Sequence, residues 1–496
     1  MTAELKLVPN PDASDFERIV AAPSNPMAVA RGLISELWTV DGLPTLRHWR
    51  GSWWEWRTSH WAEVEPRTIM AVLYEYTETA GYPDPKTPML MLPWQPTDRK
   101  IRDLREALNA VCHLTERLEQ PAWITTTAGS TARSHVDHLD QVDRPDRIVA
   151  TRNGLLDIKT DVLLPHTPTY FNTTAVTFDY APDAPTPGVW LGFLDVLWPS
   201  DPEQIALLQE WFGYVISGRT DEQKILLVIG PTRGGKGVMA RTLMNLIGRD
   251  NCAAPVLGSL GGEFGLQPLY GKSLAVCTDA RIGGKTDTSV VVERLLSLSG
   301  EDTITVNRKY RDQVTIRMSA RFMICSNEMP QLGDASGAIA GRFVTLMLER
   351  TWFGNEDKTL ETRISPELPG VLNWALDGLR RLDAQGRFTE PGSTVRAYVE
   401  LRDLASPVSA FVRECCVIDQ TASVPRDYLY TAAMRFLEGE GHRRMDAAKF
   451  GRNLRAVVPH VRDERPRQDG HPVRVYTGIK LLADPTDPRD PRAGGM

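Results

Sequence analysis

The chain is poor in the residues that build metal cages and disulfide frameworks. It has 6 cysteines and 9 histidines in 496 residues. No C-x-x-C pair occurs and only Cys415 and Cys416 are adjacent, so neither a zinc site nor a disulfide-stapled fold is expected. No apolar run approaches the ~18 residues that cross a bilayer. The first residues, Met1-Thr2-Ala3-Glu4-Leu5-Lys6, lack the apolar segment of a signal peptide. A soluble protein of a reducing cytoplasm, without a membrane partner, is the expectation. Excess positive charge is missing too: 57 Lys and Arg against 63 Asp and Glu give -6. That argues against a protein coated in nucleic acid but leaves room for local basic elements, because a focused patch sets the local field. The 42% hydrophobic and 24% charged shares are those of an ordinary globular protein, and the length suits about three domains.

What the chain does have is one organising stretch, Lys224-Ile225-Leu226-Leu227-Val228-Ile229-Gly230, followed by Pro231-Thr232-Arg233-Gly234-Gly235-Lys236-Gly237. A short apolar run meets a glycine-rich turn, and a helical pattern follows, with Val238, Met239, Leu243, Leu246 and Ile247 apolar and Gly248 as the stop. Strand, glycine loop, lysine and helix build an anion cradle. Backbone N–H groups turn inward, the helix N-terminus adds its dipole, and Lys236 supplies a charge for β- and γ-phosphates. Gly230 through Val238 are therefore the candidate nucleotide-binding residues, with ATP and Mg²⁺ as cofactors. The spacing fits G-x-x-x-x-G-K, but Gly237 stands where Ser or Thr would ligate Mg²⁺, so the metal would be held through water, by Thr242 or by another residue.

Three further apolar runs, Ser273 to Asp279, Arg321 to Asn327 and Phe343 to Leu348, alternate with helical stretches. The fold class expected is α/β, a parallel sheet buried on both faces with functional groups beyond the strand ends. Asp279 and Asn327 stand at two such ends. Asp279 would hold the Mg²⁺ hydration shell or polarise the attacking water, and Asn327 would orient that water. Between these runs, Thr303 to Ile316 reads as a hairpin with Arg308, Lys309 and Arg311 at its tip, either a solvated turn or a grip on a phosphate backbone. Arg342, just before a strand, is either a surface residue or an arginine finger reaching a neighbour's γ-phosphate.

Elsewhere, six tryptophans fall between Trp38 and Trp61; hairpin packing is the reading, and a stacking platform for nucleic acid the alternative. The pattern of Ile101, Leu104, Leu108 and Val111, then the segments Trp190 to Leu197 and Pro202 to Ser217, read as helices of a scaffold or oligomerisation collar. After a linker at Gly386 to Thr394, helices and a two-strand ribbon follow in the order of a winged helix-turn-helix. From Arg443 to Lys480 ten Lys and Arg face four Asp and Glu, about +6, with Arg452 and Arg455 on the recognition helix and Arg465 and Arg467 on the wing. The boundaries expected are 1–92 (accessory), 93–218 (mainly helical), 219–385 (ATPase core), 395–482 (winged helix) and 483–496 (tail too rich in Pro and Asp to fold).

The run Gly230 to Arg342 resembles the superfamily 3 helicases, specifically the poxvirus and phage replicative helicase-primase proteins of actinobacterial phages and prophages. The resemblance is carried by Gly-Pro-Thr-Arg-Gly-Gly-Lys-Gly at the loop, by Ser299 to Tyr310, by Cys-Ser-Asn-Glu-Met-Pro (Cys325 to Pro330) and by Gly-Arg-Phe-Val (Gly341 to Val344). Upstream, Arg152 to Ile158 and Leu208 to Tyr214 look like the helical domain that precedes the ATPase in that family. The resemblance implies an AAA+-like hexameric ring in a bacterial host cytoplasm, translocating 3′ to 5′ on single-stranded or forked DNA, with a primase or polymerase as further partner. It implies Lys236 as the phosphate lysine, Asp279 as the Walker B acid and metal ligand, and Asn327 as sensor 1. It makes Arg308 and Lys309 the DNA-gripping tip and Arg342 the finger in trans. Gly237, and a single acid in Asp279-Ala280-Arg281 where many relatives have two, depart from the family pattern at the metal. With no zinc-binding cysteine set and no room for a polymerising domain ahead of the helical region, RNA synthesis is not expected. A DNA-binding initiator or loader without unwinding, and a small-molecule kinase, are the competing classes.

Overall fold

The tryptophan-rich stretch folds as a hairpin turned indoors. The computed structural model describes residues 16–124, 147–280, 288–309, 311–330, 332, 338–468 and 471–482, in two units, Met1–Pro182 and Asp183–Met496. In the first unit, β1 (Leu46–Trp49), β2 (Ser52–Trp56) and β3 (Trp61–Val64) form an antiparallel meander. Trp49, Trp54 and Trp61 gather round Phe171, with ring centroids 5.2, 6.1 and 5.5 Å from it. Leu46 and Trp53 face a second cluster built by α1 (Pro26–Leu37), α2 (Pro66–Glu78) and α3 (Asp98–Cys112). Trp49, Trp53, Trp54 and Trp61 are all buried, so these rings are core and present no stacking platform. Three antiparallel strands follow, β4 (Ile148–Thr151), β5 (Gly154–Asp157) and β6 (Val162–Leu164).

The second unit opens with α4 (Gly188–Leu197) and α5 (Pro202–Ser217) and is centred on a five-stranded parallel sheet. Its strands are β7 (Ile225–Ile229), β8 (Cys252–Ala253), β9 (Leu274–Cys277), β12 (Arg321–Ser326) and β13 (Phe343–Met347), in the order β8-β9-β12-β7-β13. The four apolar runs expected from the sequence are four of these strands; β8, two residues long, carries too little pattern to be read. Alternation explains the burial. Ile225, Leu227 and Ile229 pack into a cluster with Val291, Val292 and Leu295 of α7 (Thr288–Ser299), while Leu226 and Val228, also buried, face the other way. Between α7 and β12 the expected hairpin is present, β10 (Thr303–Arg308) with β11 (Arg311–Arg317). β7 leaves for the β8 edge through α6 (Lys236–Ile247), while β13 lies on its other side. The order therefore reverses at β7, and the crevice beyond its carboxyl end is where such sheets bind ligands.

Helix α5 is held against α9 (Leu368–Gln385), which follows the short α8 (Leu360–Ile364). A Cβ on Gly213 would come 2.4 Å from the Ala375 carbonyl, so the two backbones approach as only glycine permits. Glu210 of α5 is fully buried, yet its carboxylate accepts from Arg381 Nε (2.7 Å) and from Thr389 N and Oγ1 (both 2.7 Å). Such a charge is tolerated because both carboxylate oxygens are hydrogen-bonded and one partner is a guanidinium, and cutting that partner would leave it uncompensated.

The chain then forms α10 (Gly392–Ala405), α11 (Pro407–Cys415), β14 (Cys416–Pro425), α12 (Arg426–Gly439), α13 (Ala447–Val457), β15 (Arg462–Glu464) and β16 (Val475–Leu481). The last three strands make one antiparallel sheet, β14-β16-β15, round a core of Phe411, Leu429, Leu437, Phe450, Leu454 and Ile479. The sequence suggested a two-strand ribbon here; β14 adds a third strand ahead of α12. Among the described residues no helix is long and apolar enough to cross a membrane. The tail expected at 483–496 lies outside the described residues.

Candidate functional site

The glycine loop is shaped by contacts that leave no room for side chains. A Cβ on Gly230 would sit 2.5 Å from Leu348 Cβ, and one on Gly234 would sit 2.9 Å from the Pro231 carbonyl. Gly235 has φ +97, and its missing Cβ faces the Phe193 ring. Arg233 adopts φ 61, the left-handed region rare for a residue with a side chain. The loop then feeds α6 at Lys236, so the first free N–H groups of that helix point into the turn.

Lys236 folds back over its own loop. Its Nζ donates to the carbonyls of Gly230 (2.6 Å) and Pro231 (2.8 Å), and to Asn327 Oδ1 (2.9 Å). Burial holds its pKa below the usual lysine value. Lys236 and Asn327 are thus brought together at the carboxyl edge, where Asn327 follows β12. Asp279 lies at that edge as well, two residues past β9 and exposed.

A cleft of about 1010 Å³ opens over the loop. Its loop end is Thr232 to Val238 with Asn327, one wall is the Val189, Gly192, Phe193 and Val196 face of α4, and the rim is Trp352 to Arg363. That rim is tied to the loop: Thr351 Oγ1 donates to the Thr232 carbonyl (2.7 Å), Trp352 N to the Arg233 carbonyl (3.2 Å), and Arg233 pairs with Glu356 (3.3 Å). Arg241 of α6 pairs with Glu361 (2.7 Å). Sequence patterning marks α4 as a helix, but no motif marks α4 or this rim as part of a site; only folding sets them beside the loop.

Two residues considered for the metal stand apart from the cleft lining. Thr242 is buried on the core face of α6, 2% exposed, and is not a substitute for the hydroxyl missing at Gly237. Asp279 stands one strand beyond Asn327, outside the residues that line the cleft. Among the described residues no group of three or more His, Cys, Asp or Glu could hold a metal ion. A magnesium ion at this cleft would have to arrive on phosphate oxygens and keep most of its water, the usual mode for this cation.

Arg342 is at the opposite edge. It ends a 3₁₀ turn just before β13, and Phe343 pairs with Ile225 at the start of β7. Five residues of strand, roughly 16 Å, separate it from its own glycine loop. Its NH1 donates to Gln223 Oε1 and to the Gln223 carbonyl.

The basic elements divide. Arg308, expected at the hairpin tip, is only 8% exposed and its guanidinium lies 5.4 Å from the Tyr270 ring centroid. The bulge between Val306 and Arg308 accompanies this inward placement. Lys309 is exposed, its N–H donating to Gln267 Oε1 (3.1 Å); the Arg311 side chain lies outside the described residues. On α13, Arg452 and Arg455 are exposed on the face opposite Phe450 and Leu454, with Lys449 beside them and Arg465 and Arg467 exposed in the segment after β15.

The fold and this site define a mixed α/β protein with a glycine loop at the turning point of a parallel sheet. Comparisons add relatives. Residues 46–199 match the family model described as D5 N terminal like, residues 405–474 the one described as Poxvirus D5 protein-like, and residues 228–342 a family of unknown function, DUF5906. The two D5 matches indicate a relation to the poxvirus D5-like family. Among solved structures, the A form apo structure of the NrS-1 C terminal region aligns with TM-score 0.50 at 13% identity, over 91% of this chain and 99% of that one. A second A form apo structure of that region aligns with TM-score 0.44 at 13% identity, over 92% and 100%. At this identity the first likeness concerns the fold alone.

Proposed function

We propose that the protein is an ATP-driven DNA helicase of superfamily 3 type that works in phage or mobile-element replication. The observation that carries this reading is the convergence of Lys236 Nζ, the loop carbonyls and Asn327 Oδ1 at the mouth of a cleft large enough for a nucleotide. An incoming triphosphate replaces the carbonyls and Asn327 as the partner of Lys236, and draws Arg233 and Arg241 from Glu356 and Glu361. Asn327 is then free to orient the attacking water, and Asp279 would act through the hydration shell of a bound Mg²⁺.

Support for a ring comes from Arg342. Lying across the sheet from its own loop, it serves the γ-phosphate of a neighbouring copy, so each site is completed between protomers, most simply in a hexamer. Lys309 at the hairpin tip contacts single-stranded DNA, and α13 with its wing forms a winged helix that grips the duplex. The D5-like matches on both sides of the sheet agree with a replication role.

The test is ATP-dependent strand displacement on a tailed duplex. Unwinding by the wild type, lost in Lys236→Ala with DNA binding retained, supports the reading; full activity of Lys236→Ala sinks it. One observation favours a second reading, a nucleotide-controlled initiator or loader. With Gly237 lacking a hydroxyl and Asp279 off the cleft wall, ATP would be bound but hydrolysed slowly. ATP-dependent DNA loading without strand displacement would select it.

A further inference from the structure

The segment Gly218 to Lys224, which joins α5 to β7, has an unusual density of polar contacts for a connector. Gln223 has φ 54, and it is one of a handful of non-glycine residues with a left-handed backbone. Its amide is spent at both ends: Oε1 accepts from Arg342 NH1 and Nε2 donates to the Gly300 carbonyl (3.4 Å). The Gln223 carbonyl accepts from the same guanidinium nitrogen (3.5 Å). The next residue, Lys224, donates from Nζ to the carbonyl of Gly341 (2.7 Å), one residue before Arg342. Two consecutive side chains thus clasp the turn that carries this arginine.

The same segment reaches the root of the hairpin. Thr220 Oγ1 donates to the Glu301 carboxylate and accepts from Arg317 NH2 (2.8 Å), and Arg317 pairs with Glu301 (2.7 Å). Arg317 is the last residue of β11 and pairs in register with Thr303, the first of β10. Glu301 also has a left-handed backbone, φ 65. Two left-handed non-glycine residues, Gln223 and Glu301, therefore sit in one network, an arrangement that persists only where the surroundings over-determine it.

We infer that Gln223 is the positioning residue of Arg342: its amide oxygen and carbonyl fix the guanidinium on the sheet edge away from the chain's own nucleotide, ready for a neighbour's. This rests on the finger reading of Arg342 above. Gln223 touches no substrate and acts only through the arginine, while Thr220 and Glu301 tie the same clasp to the hairpin root.

The experiment uses the full chain with single-stranded DNA and follows ATP hydrolysis. Gln223→Met keeps the length of the side chain and deletes the acceptor. The expected result is a fall in kcat of about tenfold with KM for ATP unchanged, as a small misplacement of a catalytic group produces. Gln223→Glu keeps an oxygen at the Oε1 position and is expected to restore kcat to within about threefold of wild type. A wild-type kcat in Gln223→Met, a loss expressed only in KM, or a Glu variant as slow as the Met variant overturns the proposal. Should Gln223→Met fail to fold, Gln223→Gly, which suits the left-handed backbone, gives the same comparison against Gln223→Glu. A separate arm mixes Arg342→Ala with Lys236→Ala subunits. Partial rescue there with no defect in Gln223→Met overturns the positioning role alone, whereas absence of rescue overturns the finger reading and the inference with it.

Discussion

The Lys236 ammonium and the Asn327 side-chain oxygen lie 2.9 Å apart, bridging the ends of two adjacent strands, β7 and β12. The contact joins the residue that would hold the phosphates to the one that would aim the water. Lys236 satisfies its three donors on Gly230, Pro231 and Asn327.

Replacing Asn327 separates binding from chemistry. Asn327→Ala removes one of three acceptors around Lys236 and no loop atom, so ATP affinity should change by less than about threefold. The hydrolysis rate should fall by about 10²-fold, the scale of a lost water-orienting or charge-stabilising group. Isothermal titration with a non-hydrolysable analogue, set beside steady-state kinetics, reads both. Equal losses in the two would assign Asn327 to binding.

Two glycines make a paired test of packing. A Cβ on Gly213 of α5 would meet the Ala375 carbonyl at 2.4 Å, backbone against helix, with nothing flexible to yield. Gly213→Ala should cost about 1–3 kcal/mol through forced separation of α5 from α9. Gly192 of α4 has nothing within 4 Å of its missing Cβ. Gly192→Ala should be neutral or stabilise by up to about 1 kcal/mol, because alanine is the better helix former. Denaturant unfolding of the two variants checks the sign of each.

These glycines also mark how far the sequence could be read. Periodicity reveals a strand of four or more apolar residues, and β7, β9, β12 and β13 were legible for that reason; β8 has two residues in the ladder and leaves no period. The loop was legible because an anion cradle needs glycines and a lysine at fixed spacing. The cleft was not, since α4 and Trp352 to Arg363 reach it from remote parts of the chain. Arg308 shows the opposite error: alternation correctly gave a hairpin, but one bulge next to Arg308 turned an expected surface cation into a buried one. A bulge has no signature in a polar stretch. The tryptophans were read correctly because large rings are rarely left in water without a partner.

The exposed face of α13 leads to a salt-dependence prediction. Arg452 and Arg455 project from the face opposite Phe450 and Leu454, so losing them leaves the core intact. Each Arg→Ala change should weaken duplex binding across sequences and reduce the slope of log affinity against log salt by about 1. Fluorescence anisotropy between low and moderate salt measures it. An unchanged slope in the double variant would remove α13 from the duplex interface.

Arg308 and Lys309 are neighbours in sequence with different fates, and exchanging each for alanine should separate folding from DNA binding. Arg308 is 8% exposed and sits over the Tyr270 ring, so its stem and guanidinium fill space between the hairpin and the 3₁₀ turn Gln267–Leu269. Arg308→Ala takes away that packing, and unfolding should become easier by about 1–3 kcal/mol, the range for losing a buried side chain with its ring contact. Lys309 is exposed at the turn, its backbone N–H donating to Gln267 Oε1, so Lys309→Ala should leave stability within about 0.5 kcal/mol. If the tip meets a phosphate backbone, Lys309→Ala should weaken single-stranded DNA binding and flatten its salt slope by about 0.7, the single-strand value for one phosphate contact. Thermal unfolding and anisotropy on the same two proteins give the answer. A stable Arg308→Ala protein that has lost DNA would return that arginine to the binding surface.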